Sequence, residues 1–310
     1  MRFIRILERA GKDILKGVAA AGFSFLGLVV GGIIAQSVLG LPQPAVPAQA
    51  DMRILMPLML LTLMLLAILL GECFQRLYPK FWQRWIGIWV CTYLLYYLLN
   101  LLDGLLFSPM PNMTTGIVSE LFPSLFASAA VAFLWRPKNE TVQAEGSPRT
   151  FSASWKPVAL AWRLAVAWLI FPPLYYLDGR VAAIFTLHYY TDPSLGLGLT
   201  LPPLSVLMAM QVLRGGLFLL AVFPVLVAWR GTRFGLWPWV TALIFFQISA
   251  TMIIQAYWLP IGLRIPHILE LLANSAVQAG VYVLLLGGPA QPVPELGVSH
   301  ALAGTSQAGV

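Results

Sequence analysis

Eight long apolar segments run through this 310-residue chain. Each is long enough to cross the hydrocarbon core of a bilayer as a helix, which takes about 20 residues. The chain is 59% hydrophobic and only 10% charged, and one soluble core cannot bury so large an apolar excess. The sequence therefore predicts an all-α, polytopic membrane protein with eight transmembrane helices. The predicted spans are 17–39, 54–72, 85–107, 115–135, 157–178, 203–229, 235–257 and 262–286.

Lysine and arginine cluster in every second gap between the predicted spans, a pattern that marks the cytoplasmic side of membrane proteins. The other side holds only Arg53, Arg180 and Arg264. This distribution predicts cytoplasmic N and C termini and contact of the basic ends with anionic lipid. The basic residues on the predicted cytoplasmic side are Arg2, Arg5, Arg9, Lys12, Lys16, Arg76, Lys80, Arg84, Arg136, Lys138, Arg149, Lys156, Arg230 and Arg233.

The positions of the charges also bear on location and partners. Basic residues confined to span ends do not form a soluble basic face, so we predict no nucleic-acid partner. The N terminus carries no recognised organelle address, and we expect a cell membrane, specifically a bacterial inner membrane. A membrane-protein partner or a homo-oligomer stays open as an alternative.

One polar segment, 136–156, separates two groups of four predicted spans. A shift of 150 residues aligns Glu120 with Glu270 and Trp89 with Trp239. Because four spans return the chain to its starting side, the pattern predicts a tandem parallel repeat about an axis along the membrane normal. The predicted organisation is an amphipathic cytoplasmic segment at 1–16, a first half at 17–135, a linker at 136–156, a second half at 157–288 and a disordered tail at 289–310.

Three short segments resemble known motifs. Ala48-Gln49-Ala50 resembles a signal-peptidase site, which would remove the first span, although the apolar run before it exceeds the usual h-region of about 7–15 residues. The segment 71–76 is similar to the EExxxR motif of CAAX-protease-like membrane proteins, with Gly71 in place of the first glutamate. Asn100 and Asp103 match the NxxD motif of lipoprotein signal peptidases. The further motifs of both enzyme families do not follow, so neither resemblance transfers a role.

Polar side chains within the predicted spans are the candidates for a functional site, because hydrocarbon tolerates them only where protein or water shelters them. Two spans carry stripes of such residues at helical spacing, which places each stripe on one face. The alternative for each stripe is a seam of hydrogen bonds that fixes helix packing. The stripes are Thr92, Tyr96, Asn100 and Asp103 in span three, and His267, Glu270, Asn274 and Gln278 in span eight.

Arg214 lies about eleven residues into span six, too deep to reach the nearer surface easily, so we expect a carboxylate partner. Asp103, Glu120 and Glu270 are the candidates. Most ionisable groups within the spans fall in their outer halves, which predicts an outward-facing polar pocket between the two halves. The predicted lining residues are Arg214, His267, Glu270, Glu120, Asp103, Asn100, Gln211 and Asn274.

The leading functional hypothesis is binding or transport of a small polar, ionic or lipid-headgroup substrate in this pocket. One alternative is an intramembrane hydrolase or transferase acting on a lipid or an exported substrate. A metal-dependent version of it would use His267 and Glu270 with His188, Glu120 or Asp103. A second alternative is a non-catalytic subunit of a membrane complex. No catalytic fingerprint decides between these classes, so enzyme activity and cofactor stay open and no metal ligand is assigned.

Overall fold

The computed structural model describes residues 2–42, 51–108, 113–137, 156–229 and 231–287, and all regular structure within them is helical. Within these described ranges, eight helical segments are long and apolar enough to cross a membrane, which confirms the predicted number and fits an integral membrane protein. The α-helices are α1 (Arg2–Ile33), α2 (Met52–Phe74), α3 (Phe81–Thr92), α4 (Leu99–Phe107), α5 (Met113–Leu134), α6 (Pro157–Leu169), α7 (Phe171–Thr191), α8 (Leu204–Ala228), α9 (Arg233–Ile254) and α10 (Ile261–Leu286).

Two of the eight spans combine two α-helices each. A π-helical segment, Tyr93–Leu98, joins α3 to α4 in span three, and α6 and α7 are separated only at Ile170 in span five. A second π segment, Ile34–Val38, ends span one, and a 3₁₀ turn, Gln255–Tyr257, ends span seven. The remaining spans are α2, α5, α8 and α10.

Two helices extend beyond the predicted spans. Helix α1 begins at Arg2, so the basic N-terminal segment and the first span form one continuous helix. Span five does not end at 178 but continues to Thr191. Pro172 and Pro173 do not interrupt α7, because they occupy its first turn, where a missing N–H is tolerated.

Several predicted features lie outside the described residues. These are most of the linker at 136–156, the tail from 289 and the cleavage motif at 48–50.

Polar side chains cap the first turns of α2 and α9. Asp51 accepts a hydrogen bond from the Arg53 N–H at 3.0 Å at the start of α2. Thr232 Oγ1 accepts one from the Gly235 N–H at 3.0 Å at the start of α9. Each cap satisfies a backbone donor that has no partner within its own helix.

The two groups of four spans have the same internal neighbours. In the first group, α5 packs against α1 and against α3, and α1 also packs against α2. In the second, α10 packs against span five and against α9, and span five also packs against α8. Between the groups, α2 contacts α9, and span three contacts both α8 and α9. The main contacts therefore keep their pattern when the two groups are exchanged.

Hydrogen bonds join the two groups at several depths. The Tyr78 hydroxyl donates to the Pro224 carbonyl at 2.8 Å, and Gln247 Nε2 lies 3.2 Å from Cys91 Sγ. Thr251 Oγ1 donates to Asn100 Oδ1 at 3.0 Å. Burial raises the pKa of Tyr78, in the loop between α2 and α3, to about 12, so this hydroxyl keeps its proton at neutral pH.

Glycines allow α1 and α5 to approach closely. A Cβ added at Gly27 would lie 2.6 Å from Pro123 Cα, and one at Gly31 would lie 2.3 Å from the Ser119 carbonyl oxygen. Both distances are far below van der Waals contact, and the obstructing atoms belong to the backbone. This small-residue spacing is the usual device for close helix packing in membranes.

We expect Gly31→Leu to lower the free energy of unfolding by about 1–3 kcal/mol, because the leucine side chain must push α5 away from α1. Gly32→Leu is the matched control, since nothing lies within 4 Å of a Cβ added there. The measurement is the midpoint of thermal unfolding in detergent. Equal midpoints for the two variants would contradict the close approach of α1 and α5.

Candidate functional site

A cavity of about 330 Å³ opens between span three and spans five to eight, at the predicted outer end of the bundle. Helix α4 contributes Asn100 and Asp103 to its lining, α8 contributes Arg214, and α10 contributes His267 and Glu270. Most of the remaining wall is apolar. It includes Phe107, Leu199, Leu201, Leu204, Leu207, Trp258, Leu259 and Leu263.

Arg214 and Asp103 form a two-pronged ion pair beside this cavity. Arg214 Nη1 lies 2.7 Å from Asp103 Oδ1, and Nη2 donates to Oδ2 at 3.1 Å. The Arg214 side chain is 3% exposed, and the rings of Phe171, Tyr175 and Phe218 have their centroids 5.5, 5.7 and 5.9 Å from its Cζ. Of the three carboxylates considered from the sequence, Asp103 is therefore the one that pairs with Arg214. The planar guanidinium fits a carboxylate in this geometry, and the aromatic rings add cation–π attraction.

His267 connects two other polar side chains of the lining. Its Nδ1 lies 2.8 Å from Glu270 Oε2, and its Nε2 lies 3.1 Å from the Tyr190 hydroxyl. The spacing of three residues on α10 places His267 and Glu270 on the same face, whereas Tyr190 comes from the last turn of α7. All three side chains line the cavity.

A glycine leaves space beside Glu270. A Cβ added at Gly179 would lie 3.7 Å from Glu270 Oε1, which is an ordinary contact distance, and Gly179 lines the cavity. On the same helix, Arg180 adds a cation to the lining, and its guanidinium donates to the Tyr176 hydroxyl at 2.8 Å. The lining therefore carries charge of both signs.

Five of the eight residues predicted for the pocket line this cavity, and three do not. Glu120 lies on α5, which packs against first-half spans, and it interacts electrostatically with Tyr93, Tyr96 and Tyr97. Gln211 is fully buried away from the lining, although it lies one turn before Arg214 on α8. Asn274 is 5% exposed and lies one turn beyond Glu270, below the cavity.

The π segment divides the stripe predicted in span three. Thr92 and Tyr96 line a water-sized cavity of about 20 Å³ inside the first group of spans. Asn100 and Asp103, after the π segment, line the outer cavity instead. A π turn inserts one residue into the helix and so rotates the following side chains by about 100° relative to α-helical spacing.

Sequence reasoning missed the contribution of α7. Because span five was predicted to end at 178, neither Tyr190 nor Gly179 was predicted to be at the site. The signal was present in the spacing of one helical face, at three and four residues. The α7 side of the lining includes Tyr175, Gly179, Ala183, Thr186 and Tyr190.

The metal-dependent alternative requires several ligands grouped around one metal ion. Within the ranges that the structure describes, no three His, Cys, Asp or Glu side chains are grouped to hold one metal ion. His188 does not line the cavity, and its ring lies 3.8 Å from that of Tyr189.

Comparison with protein-family models, with curated proteins and with solved structures found no match for this chain. Its class therefore rests on its own residues. They form an all-helical, multi-pass protein, and the arrangement fits an integral membrane protein.

Replacing one partner of the ion pair should destabilise the protein more than replacing both partners. We expect Asp103→Leu or Arg214→Met alone to destabilise the protein by about 3–5 kcal/mol, because each leaves an uncompensated buried charge. The double variant should recover most of that loss, since neither charge remains. Unfolding of the four proteins in mixed micelles with increasing dodecyl sulfate measures this coupling. Additive losses in the double variant would contradict a direct ion pair.

Proposed function

We propose that this chain is a membrane protein that binds an amphipathic ligand in the outer cavity, with the polar group inside and the apolar part toward the lipid. The observation that carries this proposal is that one cavity joins a polar floor to an apolar side wall. Pockets for small molecules are commonly mostly apolar, with few polar groups that fix orientation. A lipid or lipid-like molecule matches this division.

The side wall supports access from the membrane. Leu201 and Leu204 line the cavity, yet they remain 50% and 57% exposed on the surface of the bundle. On α7, Ile184 and Phe185 are also exposed, at 76% and 59%. Because exposed leucine and aromatic side chains at this depth would face acyl chains, an acyl chain can follow the same surface into the cavity.

The charges indicate which polar group fits. Asp103 already neutralises Arg214, so Arg214 forms part of the floor rather than the main anion-binding group. Arg180 and His267 are the other basic side chains of the lining, and they come from different helices. We therefore propose a head group with an anionic part and hydrogen-bonding groups, such as a carboxylate or phosphate.

We also propose that the two groups of spans are a tandem parallel repeat. The shared pattern of neighbours supports it, and so does a tryptophan hydrogen bond between the third and fourth spans of each half. Trp85 Nε1 donates to the Leu125 carbonyl, and Trp237 Nε1 donates to the Ala276 carbonyl. Each bond joins the third span of its half to the fourth.

We expect Gly179→Trp to reduce ligand retention at least about tenfold, because the indole fills the space beside Glu270. Gly179→Ala is the matched control, since an added Cβ there meets only an ordinary contact. The measurement is native mass spectrometry of delipidated protein after adding phosphatidylglycerol, oleate or phosphatidylcholine. Preferential retention of one anionic amphiphile by the wild type and by Gly179→Ala supports the proposal. Equal retention by Gly179→Trp and the wild type would remove the cavity as the binding site.

The orientation is tested separately. Alkaline phosphatase fused after residue 137 or residue 287 should be inactive in cells, because the excess of basic residues predicts a cytoplasmic location for both positions. Fusion after residue 108, between spans three and four, should give active enzyme. The reverse pattern of phosphatase activity would mean that the cavity opens toward the cytoplasm.

A further inference from the structure

We propose that Tyr190, His267 and Glu270 act as a proton relay, and that the cavity hydrolyses an ester of its amphipathic ligand with water as the second reactant. This inference rests on the proposed ligand-binding function and adds a chemical step to it. The three groups form a continuous chain, with 3.1 Å from the Tyr190 hydroxyl to His267 Nε2 and 2.8 Å from Nδ1 to Glu270 Oε2.

The carboxylate assigns the direction of the hydrogen bonds. An ionised Glu270 can only accept, so His267 Nδ1 carries the proton between them. In a neutral imidazole, Nε2 then holds a lone pair and accepts from the Tyr190 hydroxyl. The phenolic oxygen of Tyr190, which lines the cavity, keeps its own lone pairs for a hydrogen bond from water or from a ligand hydroxyl.

Glu270 is the charged end of the relay. The Glu270 side chain is 8% exposed, and within the described residues its ion pair is with His267 rather than with a lysine or arginine. Arg214, the nearby buried cation, is already held by both oxygens of Asp103. An imidazolium formed at His267 during the step is therefore stabilised by the adjacent Glu270 carboxylate.

The step balances within these groups. Water bound at Tyr190 gives a proton to the phenolic oxygen while the Tyr190 proton passes to His267 Nε2. The water oxygen forms a bond to the ester carbonyl carbon, and the carbonyl oxygen takes the negative charge. Collapse breaks the bond to the alcohol oxygen, and this oxygen receives a proton from Tyr190 as His267 returns its own. One ester and one water become one carboxylic acid and one alcohol.

The test uses the full-length protein in nanodiscs with a panel of fluorogenic substrates: fatty-acyl esters, diacylglycerol and phosphatidylglycerol. We expect the wild type to hydrolyse at least one of them above the rate of empty discs. His267→Gln should lower kcat about 100-fold, within the range that general acid–base catalysis contributes. Tyr190→Phe and Glu270→Gln should also lower kcat, with KM little changed.

Matched controls separate chemistry from folding and from binding. His188→Gln and Tyr189→Phe change the same residue types on α7, outside the cavity lining, and should keep wild-type rates. Tyr190→Phe should still retain the anionic amphiphile in native mass spectrometry, since it keeps the aromatic ring and leaves both Arg180 and His267 in the lining. Glu270→Asp should recover part of the rate lost in Glu270→Gln.

Two results would overturn the relay. One is a wild type that hydrolyses none of the panel while it still retains ligand, which leaves the binding function intact. The other is a His267→Gln variant that matches His188→Gln in kcat. A wild type that neither hydrolyses any substrate of the panel nor retains any ligand would instead overturn the proposed function together with the relay.

Discussion

Hydrocarbon does not solvate charge. The ion pair between Asp103 and Arg214 compensates the arginine charge that is buried within this helical bundle. Arg214 lies in the middle of α8 with its side chain 3% exposed, so it requires a carboxylate in contact. Asp103 supplies one from α4 in the other half. The pair therefore sets the position of span three against span six, and its carboxylate side faces the cavity. The packing of the two halves and the floor of the candidate site depend on the same contact.

Because Asp103 occupies Arg214, the groups that are free to contact a ligand must be other side chains of the cavity. An arginine already held by two carboxylate oxygens has little free capacity for an anionic ligand. Under the proposed function, the groups left to contact a ligand are His267 with Glu270, Tyr190 at the end of α7, and Arg180 on the lining. The candidate site thus has a polar floor, formed by the ion pair, and a second polar face whose side chains are not held by that pair. The division explains why Arg214 is surrounded by aromatic rings, whereas Arg180 is exposed.

The spans were predictable from the sequence because hydrophobic length is a local property that needs no knowledge of packing. The partner of Arg214 was partly predictable, since few carboxylates lie deep enough to reach it. The exclusion of Glu120 was not, because it depends on α5 packing against the first-half spans. Nor was the division of the span-three stripe, since the π segment that rotates Asn100 away from Tyr96 has no clear mark in the sequence. The extent of α7 was not predicted either, because span five was ended at 178, and Gly179, which provides space beside Glu270, was thereby left out of the site.

The proposed repeat makes the single site easier to understand. Glu120 and Glu270 occupy matching positions 150 residues apart, but the residue matching His267 is Ile117, and the one matching Arg214 is Met64. In the first half, the interior around Tyr96 and Tyr97 holds a water-sized space of about 20 Å³. Between span three and the second half, a cavity of about 330 Å³ is lined by His267 and by both partners of the ion pair. The two halves therefore contribute unequally to the candidate site, because span three supplies Asn100 and Asp103 and the second half supplies the other charged groups.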